Sequence, residues 1–190
     1  MLENPFAVDF GHVPKKELRK YFNRFLTIIP QRIVELTAAV GQTAGFEQWK
    51  PNYSPMSLEL LGEWFATQVE TRPRPPDEIK RIQDGSPYPI DVPRNALTKR
   101  TLSLAMDVGI YFGQSLVHNY PSLKWELPLG SKRFIDYGKP VLCGFANSVT
   151  LNPTHVVTVY ALGVADGSRT GSRLKELYDI SSKQITENRS

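Results

Sequence analysis

The chain has 190 residues, 41% of them hydrophobic and 22% charged, with a formal net charge of +4 and a pI near 9.2. This composition excludes a mainly disordered polypeptide and points to one domain with appendages, since domains typically run to about 100–200 residues. The one cysteine, Cys143, excludes an intramolecular disulfide and a multi-cysteine metal site, and no run approaches the roughly 18 consecutive apolar residues of a membrane span.

Met1 to Pro5 has no basic segment leading into a long apolar run, so a soluble, cytoplasmic protein is expected. From Pro14 to Val40 the apolar residues Leu18, Phe22, Phe25, Ile29, Ile33, Leu36 and Val40 recur at three- and four-residue steps, which predicts an amphipathic helix. Pro30 removes one backbone hydrogen bond inside it, so a kink or two helices meeting there is expected, with Gly41 and Gly45 as the stop. A second helix is announced at Ser54-Pro55, with Ser54 as cap and Leu58, Leu61, Phe65 and Val69 on the buried face. Gly62 within it implies a close packing contact, because glycine there costs about 1 kcal/mol relative to alanine.

Six prolines fall between Thr71 and Pro93, so regular structure longer than a turn or two is not expected, apart from one short helix over Asp77 to Gln83. Long connections of this kind often carry function. The plain alternative is an ordered connection wrapped across the surface.

The third helix is predicted from Asn95 to about His118 and is taken as the central one, with Leu97, Leu104, Ala105, Val108, Phe112 and Leu116 on its apolar stripe. Gly109 and Gly113 flatten one of its faces for a close approach. Three strands are predicted next, at Leu123–Leu127, Phe134–Tyr137 and Val141–Phe145, forming a small antiparallel sheet. Asn152-Pro153 then reads as a helix start running to about Ala165, although Val156-Val157-Thr158-Val159 favours a strand. After the loop from Asp166 to Gly171, a last helix spans Ser172 to Gln184.

The expected fold is thus α+β: a helix-rich single domain over 1–190 with a central amphipathic helix packed on a small antiparallel sheet. Its N-terminal helices occupy 14–70 and the Pro-rich connection 71–94. The central helix, sheet and C-terminal helices occupy 95–184, and a frayed tail 185–190.

Candidate chemistry is sparse. His12, His118 and His155 have no metal-ligand spacing, and His118 simply favours the negative end of a helix dipole. Cys143 with His118 or His155 as base is a conceivable nucleophile, but the apolar run Val141 to Phe145 suits an inert buried thiol. Glu59 and Glu63 lie four apart on a helix, as solvated carboxylates routinely do. Neither phosphate-binding glycine fingerprint is present, so no cofactor is expected; Gly167 to Arg173 could cradle a phosphate or serve as a linker. Arg72, Arg74, Lys80, Arg81, Arg94, Lys99 and Arg100, with Tyr88 among them, suit nucleic acid, but Asp77, Glu78, Asp84 and Asp91 interrupt them.

Two segments carry a resemblance. Asn52-Tyr53-Ser54-Pro55-Met56-Ser57-Leu58 with the helix after it, and Asp107-Val108-Gly109-Ile110-Tyr111-Phe112-Gly113-Gln114 followed by Trp125, resemble small uncharacterised bacterial domains. That group includes the DUF3806-like domains and proteins associated with toxin-immunity loci. The resemblance covers about residues 52–145 and implies an α+β domain that serves in protein interaction; it carries no catalytic residues. The expected function is a non-enzymatic interaction protein, of immunity type, with a protein partner. Arg72, Arg74, Tyr88 and Arg94 are the contact residues, with Trp49 and Trp64 as aromatic anchors or, equally, as core. An enzyme whose site assembles only in three dimensions is the alternative, followed by a nucleic-acid-binding accessory protein.

Overall fold

The computed structural model describes residues 10–186. The Met1 to Pro5 segment and positions 187–190 of the expected tail lie outside them. After a single 3-10 turn at Phe10–His12, helix α1 spans Lys15–Gly41 and passes through Pro30 as one 27-residue helix, so of the two expected forms, a kink or two helices, the two-helix form is not found. Pro30 and Leu26, whose carbonyl loses its helical partner, are both on the exposed face. A carbonyl on the exposed face does not need a buried donor, so the helix can continue through the proline. Helix α2, Pro55–Gln68, opens where the Ser57 amide donates to Ser54 Oγ at 3.2 Å.

Strand β1, Thr71–Pro73, pairs antiparallel with strand β2, Asn95–Leu97, in the register Thr71 to Leu97, Arg72 to Ala96 and Pro73 to Asn95. Helix α3, Pro76–Asp84, lies between them. The connection is therefore more regular than expected, and Asn95 enters a strand rather than a helix. Helix α4, Lys99–Asn119, starts four residues later than predicted, capped by Thr98 Oγ1, which accepts from the Thr101 amide at 3.1 Å.

Strands β3, Lys124–Glu126, and β4, Val141–Cys143, form a second antiparallel pair, with Trp125 opposite Leu142. Phe134–Tyr137 is not a strand. The Tyr137 amide donates to the Phe134 carbonyl at 2.9 Å and the Lys139 amide to the Asp136 carbonyl at 3.0 Å, so the segment turns on itself. A strand preference has no effect without a neighbour to pair with. Helix α5, Pro153–Ala165, begins as predicted, with Asn152 Oδ1 accepting from the His155 amide at 3.1 Å. Helix α6 spans Arg173–Thr186 and extends past the expected end.

The fold is α+β, a helix-rich single domain with two separate two-stranded antiparallel sheets. Helix α4 is its centre: residues 105–113 are buried without interruption, among α1, α2 and α5. The flattened face meets α5 and β3. A Cβ on Gly109 would lie 2.7 Å from Thr154 Cα, and one on Gly113 would lie 2.5 Å from Trp125 Cζ2. Real Cβ atoms do not approach so closely, so these glycines set the α4–α5 distance. Gly62 does the same for α2, where an added Cβ would sit 2.2 Å from the Gly171 carbonyl oxygen just before α6. No helix among the described residues is long and apolar enough to cross a membrane.

Candidate interaction arm

Residues 74–94 leave the core between two strands that lie side by side and form an arm. None of the α3 side chains is buried. Ion pairs fix the base of the arm. Arg72 donates to both carboxylate oxygens of Glu78, at 2.8 and 3.1 Å. Arg74 Nε lies 3.3 Å from Glu78 Oε1, while its Nη1 donates to the carbonyls of Pro93 and Asn95 at 2.7 and 2.8 Å. The hydrogen bonds from Arg72, then the charges of Arg72 and Arg74, hold the Glu78 carboxyl below its usual range. One carboxylate thus ties α3 to β1, and Arg74 ties the outgoing chain to the returning one.

Farther out, Ser86 Oγ donates to the Tyr88 carbonyl at 2.7 Å and accepts from the Tyr88 amide at 3.3 Å, closing a tight turn. The Tyr88 ring is 76% exposed, and Ile82 and Ile90 are exposed with it. Arg94 is also exposed, and its carbonyl accepts from the Arg74 amide at 2.8 Å.

The candidate contact residues therefore divide. Tyr88 and Arg94 present surface on the arm, whereas Arg72 and Arg74 build it. Trp49 and Trp64 are only 4% and 1% exposed. Trp49 Nε1 donates to the Ser57 carbonyl and Trp64 Nε1 to Thr43 Oγ1, each at 2.8 Å. Both indoles are satisfied inside the core, which corrects their reading as anchors. Ile82 and Ile90 went unremarked in the sequence. Their signal was an apolar residue in a proline-punctuated segment, Ile90 between Pro89 and Pro93 and Ile82 three residues after Ile79 on one short helix.

The basic character of the region is largely neutralised within it. Lys80 pairs with Asp84 at 2.9 Å, Arg81 with Asp77 at 3.6 Å, and Arg100 with Glu70 at 3.2 Å. Phosphate binding would have to compete with these carboxylates, which lowers its counterion-release gain.

The other candidate chemistry is dispersed. Cys143 is half-buried, and burial, then the charge and hydrogen bond of Glu126, pushes its thiol up to about 11, away from the thiolate a nucleophile needs. His118 lies in the last turn of α4 with its ring 4.9 Å from that of Tyr53. Tyr53 adopts φ +59°, held by its amide donating to the Tyr111 hydroxyl at 2.9 Å and by Asn119 Nδ2 donating to its carbonyl at 2.7 Å. Among the described residues, no three His, Cys, Asp or Glu side chains are placed to hold a metal ion.

One buried charge pair stands apart from the arm. Arg32 on α1 donates through Nε to Asp107 Oδ1 at 2.7 Å and through Nη2 to Oδ2, and it also pairs with Glu35. Asp107 faces this pair from inside α4. Burial raises its carboxyl to about 6 against the opposing pull of Arg32. The pair locks α1 to α4 and opens onto no polar constellation that would use it.

Comparison with protein-family models, with curated proteins and with solved structures finds no match for this chain.

Proposed function

We propose that the protein is a non-enzymatic interaction protein that binds a protein partner through the outer part of its arm. The observation that carries this reading is the pairing of a fixed base with an exposed apolar end. Arg72, Arg74 and Glu78 hold the arm in place, while Ile82, Tyr88 and Ile90 remain in solvent. Solvent-exposed apolar and aromatic groups on a preorganised element are what an interface needs, since ordering costs are already met and tyrosine is a frequent hot-spot residue. Arg94 adds an exposed cation at the base of the arm. The narrower form, an immunity-type protein that binds a cognate toxin, is supported by the motif resemblance over residues 52–145. The arm carries four basic and four acidic side chains, so the partner surface should be apolar and close to neutral.

The test is affinity capture from the native host with the wild-type chain and with Ile82→Asp/Tyr88→Ala. A protein recovered reproducibly by the wild type and lost by the double variant, with both proteins melting alike, is expected. Recovery of the same protein by both, or of none, overturns the reading. Retention of DNA or RNA that falls with salt would favour the nucleic-acid alternative instead.

A further inference from the structure

A groove of about 420 Å³ runs between α5 and α6, away from the arm, and falls within the size range of small-molecule sites. Val159 and Leu162, 52% and 46% exposed, supply an apolar wall from α5, and Leu177 faces them from α6. Val159 and Leu162 are exposed among the described residues, and Leu177 is half-buried against the core. One end of the groove is polar, formed by Arg169 and Ser168 of the connecting loop and by Arg173 at the start of α6.

The charges at that end are unequal in their commitments. Arg173 pairs with Glu176 at 3.0 Å, and Ser172 Oγ also donates to Glu176. Asp166 accepts from the Ser168 amide at 2.9 Å, so its carboxylate is occupied in closing the loop. Arg169 forms no ion pair among the described residues; its Nη1 donates only to the Ser168 carbonyl, at 3.3 Å. Its stem lies across α5 where Gly163 leaves room, since a Cβ there would be 2.4 Å from Arg169 Cγ. The loop is anchored over the same point by the Arg169 amide donating to the Gly163 carbonyl at 2.9 Å. A guanidinium is thus brought to the end of an apolar channel without an ion pair among the described residues, although its charge also acts on Asp166 and Glu176.

We propose that this groove binds a small monocarboxylate with an apolar tail. The carboxylate would take the Arg169 fork, which matches its planar geometry, while the alkyl chain would cover Val159, Leu162 and Leu177. Asp166 and Glu176 flank the polar end and oppose any anion, a dianionic phosphate monoester about twice as strongly as a monocarboxylate. This separates the site from a general phosphate cradle. The groove does not touch the arm, so the proposal stands or falls independently of the protein-binding reading.

Decanoate below its micelle concentration is the probe, with decanol and decyl phosphate as comparisons, read by calorimetry and by backbone amide NMR shifts at pH 7. Decanoate is expected to saturate at one per chain and to shift amides of Val159, Gly163 and Arg169. Decanol and decyl phosphate should bind at least tenfold more weakly. Arg169→Gln should lose about tenfold, and Leu162→Asn severalfold, with melting temperatures near that of the wild type. Gly163→Ala, which displaces only a flexible stem, should also weaken binding. Equal affinity for decanol, undiminished binding by Arg169→Gln, shifts confined to other helices, or no saturable binding each overturns the proposal.

Discussion

Helix α4 and the arm show two opposite ways of fixing a chain. Along residues 105–113 every side chain is buried, and position is set by direct contact, down to glycines that admit a neighbouring backbone. Along α3 nothing is buried, and position is set at one end by ion pairs and strand hydrogen bonds. This difference makes the centre intolerant of added volume and α3 tolerant of many side chains, whereas Val92 near the arm's return is buried. The centre therefore stores stability, and the arm offers surface whose chemistry can be chosen for a partner.

Volume at the centre gives the sharpest test. Gly109→Leu is expected to destabilise the protein by about 3 kcal/mol or more, because the obstacle is the Thr154 backbone rather than a flexible side chain. Urea unfolding measures it, and a gain in stability, as for an exposed helical glycine, would remove the proposed tight α4–α5 contact.

The buried pair comes next. The Asp107 carboxyl lies near 6 in the fold, above its usual value of 3.8. The folded state therefore binds more protons between these values, and stability falls as pH rises from about 4 through 6, by up to about 3 kcal/mol. Relative to Asp107→Asn, the wild type should lose stability across that window. The opposite slope would mean that Arg32 outweighs burial.

A smaller effect is expected at the arm's base. Arg72→Ala/Arg74→Ala should lower global stability only slightly, since α3 contributes no buried side chain, yet clearly speed amide exchange in α3. Unchanged exchange would show that β1–β2 pairing alone fixes the arm. Smallest of all, Tyr88→Ala should alter stability by no more than about 0.5 kcal/mol. A larger loss in thermal unfolding would place the ring against structure and weaken its assignment as surface.

Local signals were readable in the sequence, and contacts between distant segments were not. Ser54-Pro55 and Asn152-Pro153 announced α2 and α5 because a cap and its amide lie within three residues. The glycines of α4 revealed that something approaches, but not that it is Pro153, Thr154 and Trp125. Asn95 was misread because its partner Pro73 lies across the whole arm. The choice left open at Pro30 was settled against two helices because the orphaned Leu26 carbonyl is on the exposed face. At the candidate site, the basic and aromatic residues were visible, as were the acidic residues that interrupt them. The division between Arg72 and Arg74 as builders and Tyr88 and Arg94 as surface required the fold, as did the burial of Trp49 and Trp64.

The Arg74 amide donates to the Arg94 carbonyl at 2.8 Å, so the arm leaves the domain and returns to it at one place. It is, in effect, an insertion with a single doorway. Doubling its length would add only about 0.6 kcal/mol of closure entropy, and α2 and α4 would not need to move. A chain built this way can exchange its arm for another of different length and chemistry while keeping the same body, so recognition can diverge without the fold being rebuilt.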